Sequence, residues 1–245
     1  MKRLLAFACA TLLSASAAAQ YPTKPVRIVV PFPGGSATDT ITRILAQSIS
    51  PGFGQPIIVD NKPGADGAIA AAEVAKAPPD GYTLLMATNS PMSAVPAMKK
   101  SPPYDPVKDF TPITDIGRYT FFLYVNTTVP AKSFKELIAH AKANPGKLAY
   151  ATGNTTGIVS FAQMNSLAGI DMLHVPYKGE PQGITDLVGG RVQVMWATPT
   201  TGLPHVKDGK LRALVTQLTK RSPLLPDVPT IHEAGLPKFT ITSWA

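Results

Sequence analysis

The run Val26–Val30 is β-branched at every position except Arg27, and a loop, Pro31-Phe32-Pro33-Gly34-Gly35-Ser36, follows it directly. A helical pattern comes next, with Ile41, Ile44, Leu45 and Ile49 spaced for one face. A short branched run of this kind suits a strand buried on both faces, as in a parallel sheet covered by helices. The same order then recurs. Ile57–Val59 reads as a strand closed by the turn residues Asn61 to Gly64, Ala68–Lys76 as an alanine-rich helix with Asp66 near its start, and Tyr82–Ala87 as a third strand. Strand–helix–strand–helix–strand is solved most economically by parallel strands with crossover helices. Pro51-Gly52 is expected to stop the first helix.

A proline-rich stretch, Pro91 to Pro112, reads as a covering segment outside the core. Ile113–Asn126 holds two β-like runs around Gly117, and a second series starts after it. Ser133 and Glu136 form a capping box for a helix reaching about Ala143, which Asn144-Pro145-Gly146 ends. Leu148–Ala151 is a strand, Thr152–Gly157 a loop and Val159–Ala168 a helix. Met172–Val175, Val192–Met195 and Leu211–Thr216 are further strands, with helices between them. Two α/β lobes are therefore expected, with the crossover near Tyr119 to Asn126. Phe239–Trp244 is expected to be a β segment returning to the first lobe.

The N-terminus carries a different signal. Lys2 and Arg3 precede an apolar run, Leu4–Leu13, too short to span a bilayer as a helix, and Ala17 and Ala19 have A-x-A spacing. This pattern predicts an export signal cut between Ala19 and Gln20. A short anchor is the weaker alternative, and Cys9 lies too early for a lipoprotein signal. Cys9 is the single cysteine, so the mature chain forms no disulfide and relies on a packed core.

The chain has 23 Lys plus Arg against 15 Asp plus Glu. The excess of +8 falls to about +6 once Lys2 and Arg3 leave with the signal. These charges are scattered, not clustered with aromatics, which argues against a nucleic-acid groove and fits a general attraction for anions.

The loop Pro31 to Asp39 is the strongest candidate site. Gly34 and Gly35 permit backbone conformations in which successive N–H groups converge on one spot, and the following helix adds the positive end of its dipole. A carboxylate or phosphate is the natural guest, at the carboxyl end of a parallel strand. The alternative is a tight turn and nothing more. Asp39 either faces the helix dipole or meets a ligand's amino or hydroxyl group. The loop lacks the Gly-Lys-Ser/Thr of a nucleotide-binding P-loop. The loop Thr152-Gly153-Asn154-Thr155-Thr156-Gly157 has hydroxyl and amide donors for an anion; its plain reading is a helix start with Thr155 or Thr156 as N-cap. Thr88-Asn89-Ser90 is a third candidate, or an ordinary polar turn. A bulky β-branched residue at Gly34 is expected to abolish binding and leave the fold intact.

Catalytic and metal patterns are poor. There is no G-x-S-x-G elbow, and His140, His174, His205 and His232 have no close metal spacing. No catalytic residue, metal or cofactor is assigned.

The ordered set Pro25–Phe32 with the Gly-Gly loop and Asp39, Val59–Ala65, Asp80–Leu85, Tyr104–Phe110, His174–Gly179, Gly209–Leu214 and Leu225–Thr230 resembles the Bug family, the periplasmic receptors of tripartite tricarboxylate transporters. The resemblance runs from the signal to the last residue. It implies a type II periplasmic-binding-protein fold of class α/β, with two lobes joined by crossing strands and a ligand cleft between them. The boundaries it suggests are 1–19 for the signal peptide, 20–120 for lobe one, 121–222 for lobe two and 223–245 for a return segment to lobe one. It implies a receptor, not an enzyme: a monomer capturing a small organic carboxylate and passing it to membrane permease subunits.

Matched to the family, the ligand-binding positions are Phe32, Gly34, Gly35, Ser36, Ala37, Thr38 and Asp39, then Thr152, Gly153, Asn154, Thr155 and Thr156. The far-end contacts fall at Thr88, Asn89, Tyr177 and Ala197. Three departures stand out. Ser36 occupies a usual glycine position, and the second loop lacks the usual Ser-Gly-rich run. Trp196-Ala197-Thr198 replaces a Phe-Asp-Asn type of segment, which implies a cleft less suited to an amino-bearing ligand, with Trp196 either a flat apolar wall or core. Related chains continue past Ser243-Trp244, so the resemblance also implies that part of lobe one's helical cover is absent. The competing readings are an exported hydrolase or transferase on a carboxylate substrate, which would need a histidine within reach of Ser36 or Thr155, and a truncated fragment without function.

Overall fold

β1 (Val26–Val30) lies at the centre of a three-stranded parallel sheet of order β2-β1-β3, between β2 (Ile57–Asn61) and β3 (Thr83–Leu85). Its central position explains its composition: Val26, Ile28, Val29 and Val30 are all buried, and Ile28 and Val30 pack with Met86 and Ala245. The computed structural model describes residues 21–245, so the export signal and its cleavage point lie outside the described residues.

Helix α1 (Ala37–Phe53) follows β1 and packs on β1 and β2. It runs through Pro51 and ends at Gly54, so Pro51-Gly52 does not stop it. Proline in the last turn still removes one amide donor, but the helix ends within a few residues and loses little. Ile44 is also exposed, contrary to the expected apolar face; the fully buried positions are Ala37, Thr38, Asp39, Thr42 and Ala46. Small and hydroxyl side chains let α1 approach β1 closely, and Thr42 Oγ1 donates to Thr38 O at 2.6 Å. α2 (Ala68–Ala75) and α3 (Val95–Met98) complete this half. The proline-rich stretch is not merely a cover: Tyr104 is buried against α2, edge-on to Phe110.

The second sheet has five strands in the order β6-β5-β7-β4-β8. They are β4 (Phe122–Asn126), β5 (Ala149–Thr152), β6 (Leu173–Pro176), β7 (Val194–Ala197) and β8 (Leu211–Thr216). β5 runs parallel to β6 and β7, whereas β4 is antiparallel to β7 and β8. α4 (Phe134–Ala143), α5 (Thr155–Ala168), α6 (Glu180–Val188) and α7 (Pro199–Lys207) cover it. The Ser133 hydroxyl accepts from Glu136 N, as the capping box predicts. The Glu136 carboxylate returns to Lys132 N, one residue earlier than the motif requires. Trp196 is 1 % exposed and stacks on Phe239 at 5.8 Å, so it is core and not a cleft wall.

Two stretches expected as strands are largely irregular. In Ile113–Asn126 only β4 is a strand, and in Phe239–Trp244 only Trp244 pairs, in an isolated antiparallel bridge with Arg118. Ile116 N and Gly117 N donate to Ala245 O, Tyr119 N to Ser243 O, and Ala245 N to Gly117 O. The two chain passages between the sheets thus lie side by side. Ile231 and Phe239 pack with the core of the second sheet, and only the last residues of the chain reach the first. No helix among the described residues is long and apolar enough to cross a membrane.

Candidate functional site

Between the two sheets lies a small cavity of about 30 Å³. Phe32, Ser36, Ala37, Thr38, Thr88, Asn89 and Ser90 line it from one side, and Phe121, Gly153, Asn154, Thr156, Glu180 and Thr198 from the other. Tyr119 and Ser243, on the two connecting passages, close the back. Such a volume holds about two waters, so a carboxylate larger than that enters this cavity only if its walls part.

The jaws touch directly. Asn89 Nδ2 donates to Thr156 Oγ1 at 2.7 Å, and Asn89 Oδ1 accepts from Ser243 Oγ at 2.8 Å. Tyr119 OH bonds to Thr38 Oγ1 at 2.9 Å, and burial pushes its phenol above its ordinary range. Gly179 faces Pro33 so closely that a Cβ there would lie 2.6 Å from the proline ring.

The first loop works differently from a simple nest. Gly35 has φ +79°, the left-handed region, but its N–H donates to Asp39 Oδ2 at 2.9 Å. Ser36 N donates to Pro33 O, and the Ser36 hydroxyl caps α1 by accepting from Asp39 N. Gly34, Gly35 and Asp39 lie outside the cavity lining. Gly34 has no positive φ, and a Cβ there would meet only Asp39 Oδ2, at 4.0 Å. The constraint expected at Gly34 therefore belongs to Gly35. Ser36, in place of a glycine, acts as the helix cap, and Ala37 and Thr38, whose first-turn amides have no intrahelical partner, line the cavity.

Asp39 is a buried support for this loop. Its Oδ1 accepts from Arg43 Nε at 3.0 Å and Asn61 Nδ2 at 2.9 Å. Burial opposes its charge, but the bonds from Arg43, Gly35 N and Asn61 outweigh that and hold its carboxyl below the usual range.

On the other jaw, Asn154 is the N-cap of α5, accepting from Gly157 N at 2.8 Å; neither Thr155 nor Thr156 has that role. Thr155 is already the first residue of the helix, and its buried hydroxyl has no partner among the described residues. Asn154 Nδ2 donates to Glu180 Oε1 at 3.1 Å. Glu180 Oε2 accepts from Thr198 N at 3.0 Å, Thr198 Oγ1 at 2.7 Å and Thr201 Oγ1 at 3.0 Å. Burial pushes the Glu180 carboxyl up, with these neutral donors pulling the other way.

Of the residues expected to bind, Phe32, Ser36, Ala37, Thr38, Thr88, Asn89, Gly153, Asn154 and Thr156 meet at this cavity. Thr152 and Tyr177 line a neighbouring cavity of about 300 Å³, which shares Phe32, Gly153 and Asn154 and opens between residues 64–67 and 176–178. Tyr177 OH donates to Asp186 Oδ2 at 2.8 Å. Thr155 and Ala197, both buried, line neither. Ser90, from the third candidate loop, also lines the cavity, whereas Glu180, Tyr119, Phe121, Thr198 and Ser243 were not among the expected binding residues, although Glu180 follows the Pro-Tyr-Lys-Gly landmark directly.

No described hydrogen bond joins a histidine to Ser36 or Thr155. His174 Nε2 instead pairs with Thr152 Oγ1 at 2.7 Å at the end of β5, and burial lowers its pKa. Among the described residues no group of three or more His, Cys, Asp or Glu is placed to hold a metal.

The arrangement of two α/β units around a donor-lined cleft matches known receptors. The family model described as "Tripartite tricarboxylate transporter family receptor" matches residues 41–245. The chain belongs to this receptor family. BugT of Bordetella pertussis is 36 % identical over 255 residues, spanning all of this chain and 77 % of BugT. Among solved structures, Rpa4515 of R. palustris with adipate superposes with a TM-score of 0.88 at 36 % identity, over 92 % of this chain and 76 % of that one. MatC from Rhodopseudomonas palustris with bound malate gives 0.85 at 33 % identity, over 91 % and 77 %. As a member of this family, the chain has the fold of the family's periplasmic binding proteins, and its family is one of solute receptors.

Proposed function

We propose that this chain is an exported, periplasmic receptor that captures a small carboxylate between a first lobe, 20–120 with the last residues of the chain, and a second lobe made of 121–222 and most of 223–245, and hands it to a membrane permease. It acts as a monomer and performs no chemistry on its ligand. The observation that carries this reading is the start of α1. Ser36 caps the helix from within, Ala37 and Thr38 of its first turn line the interlobe cavity beside Thr88, and no described loop hydrogen bond uses their amides. A helix N-terminus with free amides is a site for an anion held without a cation. The solved relatives with adipate and malate favour a carboxylate as that anion. Closing the jaws around it by hinge motion at the paired passages 116–119 and 243–245 follows the usual mode of two-lobed receptors.

The test is thermal unfolding of the mature protein against a panel of carboxylates. A ligand that binds only the folded state raises the melting temperature with concentration. A concentration-dependent shift with at least one acid is expected. A cooperative transition that no carboxylate moves would rule the reading out.

A further inference from the structure

The charge on the cavity wall is unusual for an anion site. Among the residues that line the small interlobe cavity there is no lysine, arginine or histidine, and the one carboxylate is Glu180. It is 5 % exposed, and no described ion pair includes it. Its four hydrogen-bond donors are all neutral. Three of them crowd Oε2. Oε1 receives only Asn154 Nδ2, whose orientation is fixed because Asn154 Oδ1 accepts from Gly157 N. Oε1 therefore keeps accepting capacity beside the cavity.

The opposite jaw also has an unmet group. Thr88 Oγ1, on a residue 2 % exposed that lines the same cavity, has no partner. One buried wall thus offers a helix start and a free hydroxyl to an anion, and the other offers the Glu180 carboxyl as an acceptor.

We infer that Glu180 sets the ligand's second end: the cleft takes a monocarboxylate whose far end donates a hydrogen bond, as an amide or ammonium does, and discriminates against dicarboxylates. This rests on the carboxylate-receptor reading. Burial pushes the Glu180 carboxyl up and its four neutral donors oppose that shift. A second carboxylate brought against the ionised group inside a desolvated cleft meets a like charge with no cation on the cavity wall to offset it, and such juxtapositions cost several kcal/mol. An amide or ammonium group in the same place instead completes the free valence of Oε1. Glu180 also ties α6 to Asn154 and to the start of α7, and a role confined to that support would weaken all ligands alike.

The experiment compares matched probes by calorimetry at neutral pH: succinate, succinamate and 4-aminobutanoate, then adipate, adipamate and 6-aminohexanoate. In the wild-type protein the best donor-ended member of a series is expected to bind at least about ten-fold more tightly than its dicarboxylate, and Glu180→Gln is expected to bring the two within about three-fold, in line with the loss of one like-charge contact. A dicarboxylate that binds the wild type as tightly as its donor-ended partners, or a ratio that Glu180→Gln leaves unmoved, overturns the proposal. Adipate favoured over adipamate would place the second carboxylate in the larger cavity, near the exposed Lys178 at its rim, and would equally overturn it. Should Glu180→Gln fail to unfold cooperatively, the wild-type ratio decides alone. If no probe of either kind binds either protein, both this proposal and the carboxylate-receptor reading fall; a dicarboxylate preference removes this proposal only.

Discussion

Asn89 and Thr156 join the two halves of the molecule: Asn89 Nδ2 donates to Thr156 Oγ1 at 2.7 Å, while the same amide's oxygen holds Ser243 Oγ. The bond exists only when the jaws are shut, so it acts on the closing equilibrium and not on either half alone. A neutral hydrogen bond of this kind contributes about 1 kcal/mol net. Asn89→Ala is expected to enlarge the ligand-free protein in small-angle scattering and to leave cooperative unfolding in place. An unchanged scattering radius would show that the bond does not hold the jaws.

Gly179 has extended backbone that any residue adopts, so its requirement is space. Gly179→Val would place its Cβ 2.6 Å from the Pro33 ring across the cleft. We expect ligand binding to be lost and the melting temperature of the ligand-free protein to change little. A variant that binds normally would mean the ligand-bound jaws stand further apart than these.

Gly35 and Gly34 should behave differently. Gly35→Val forces a β-branched residue to φ +79°, at a cost of about 1–3 kcal/mol. Gly34→Ala, with open space and an ordinary φ, should fall within about 0.5 kcal/mol of the wild type. Denaturant unfolding of the two variants separates these outcomes.

Asp39 links the loop to Arg43 and Asn61, and its carboxyl is held below the usual range. A depressed folded value means stability that is present above the ordinary carboxylate range and lost as the pH falls through the folded value. Asp39→Asn is expected to lose about 1–3 kcal/mol at neutral pH, since it removes hydrogen bonds to a charged acceptor. The gap to the wild type should close in acid. A gap that is constant between neutral pH and strong acid would show that the charge is not what matters.

Trp196 is 1 % exposed and stacked on Phe239. Trp196→Ala should cost about 3–5 kcal/mol, the usual penalty for emptying a buried aromatic site. A near-neutral effect would mean that the ring lies in the cleft after all.

The loop from Pro31 to Asp39 was legible as a candidate site because a strand, a Gly-Gly loop and a following helix form a local pattern, and local pattern is what a sequence carries; Ala37 and Thr38 were singled out by the family resemblance and do line the cavity. The same holds for β1, whose branched run follows from its place between two strands, and for the capping box at Ser133 and Glu136. The bonds that consume Gly35 N and the Asp39 carboxylate were not legible, because they depend on Arg43 and Asn61 reaching the loop from other elements. Phe239–Trp244 read as a strand from its side chains, yet strand pairing needs a neighbour, and only Arg118 supplies one, at Trp244. Trp196 could be wall or core by sequence; the stack on Phe239, 43 positions away, decided it.

The sequence by itself determined the α/β order, the family and the loop that opens α1, since each rests on residues near one another in the chain. Only the tertiary structure brought Glu180, Thr88 and Thr198 to one cavity. Their meeting depends on how two sheets close on each other, and the spacing of residues along a chain holds no record of that distance.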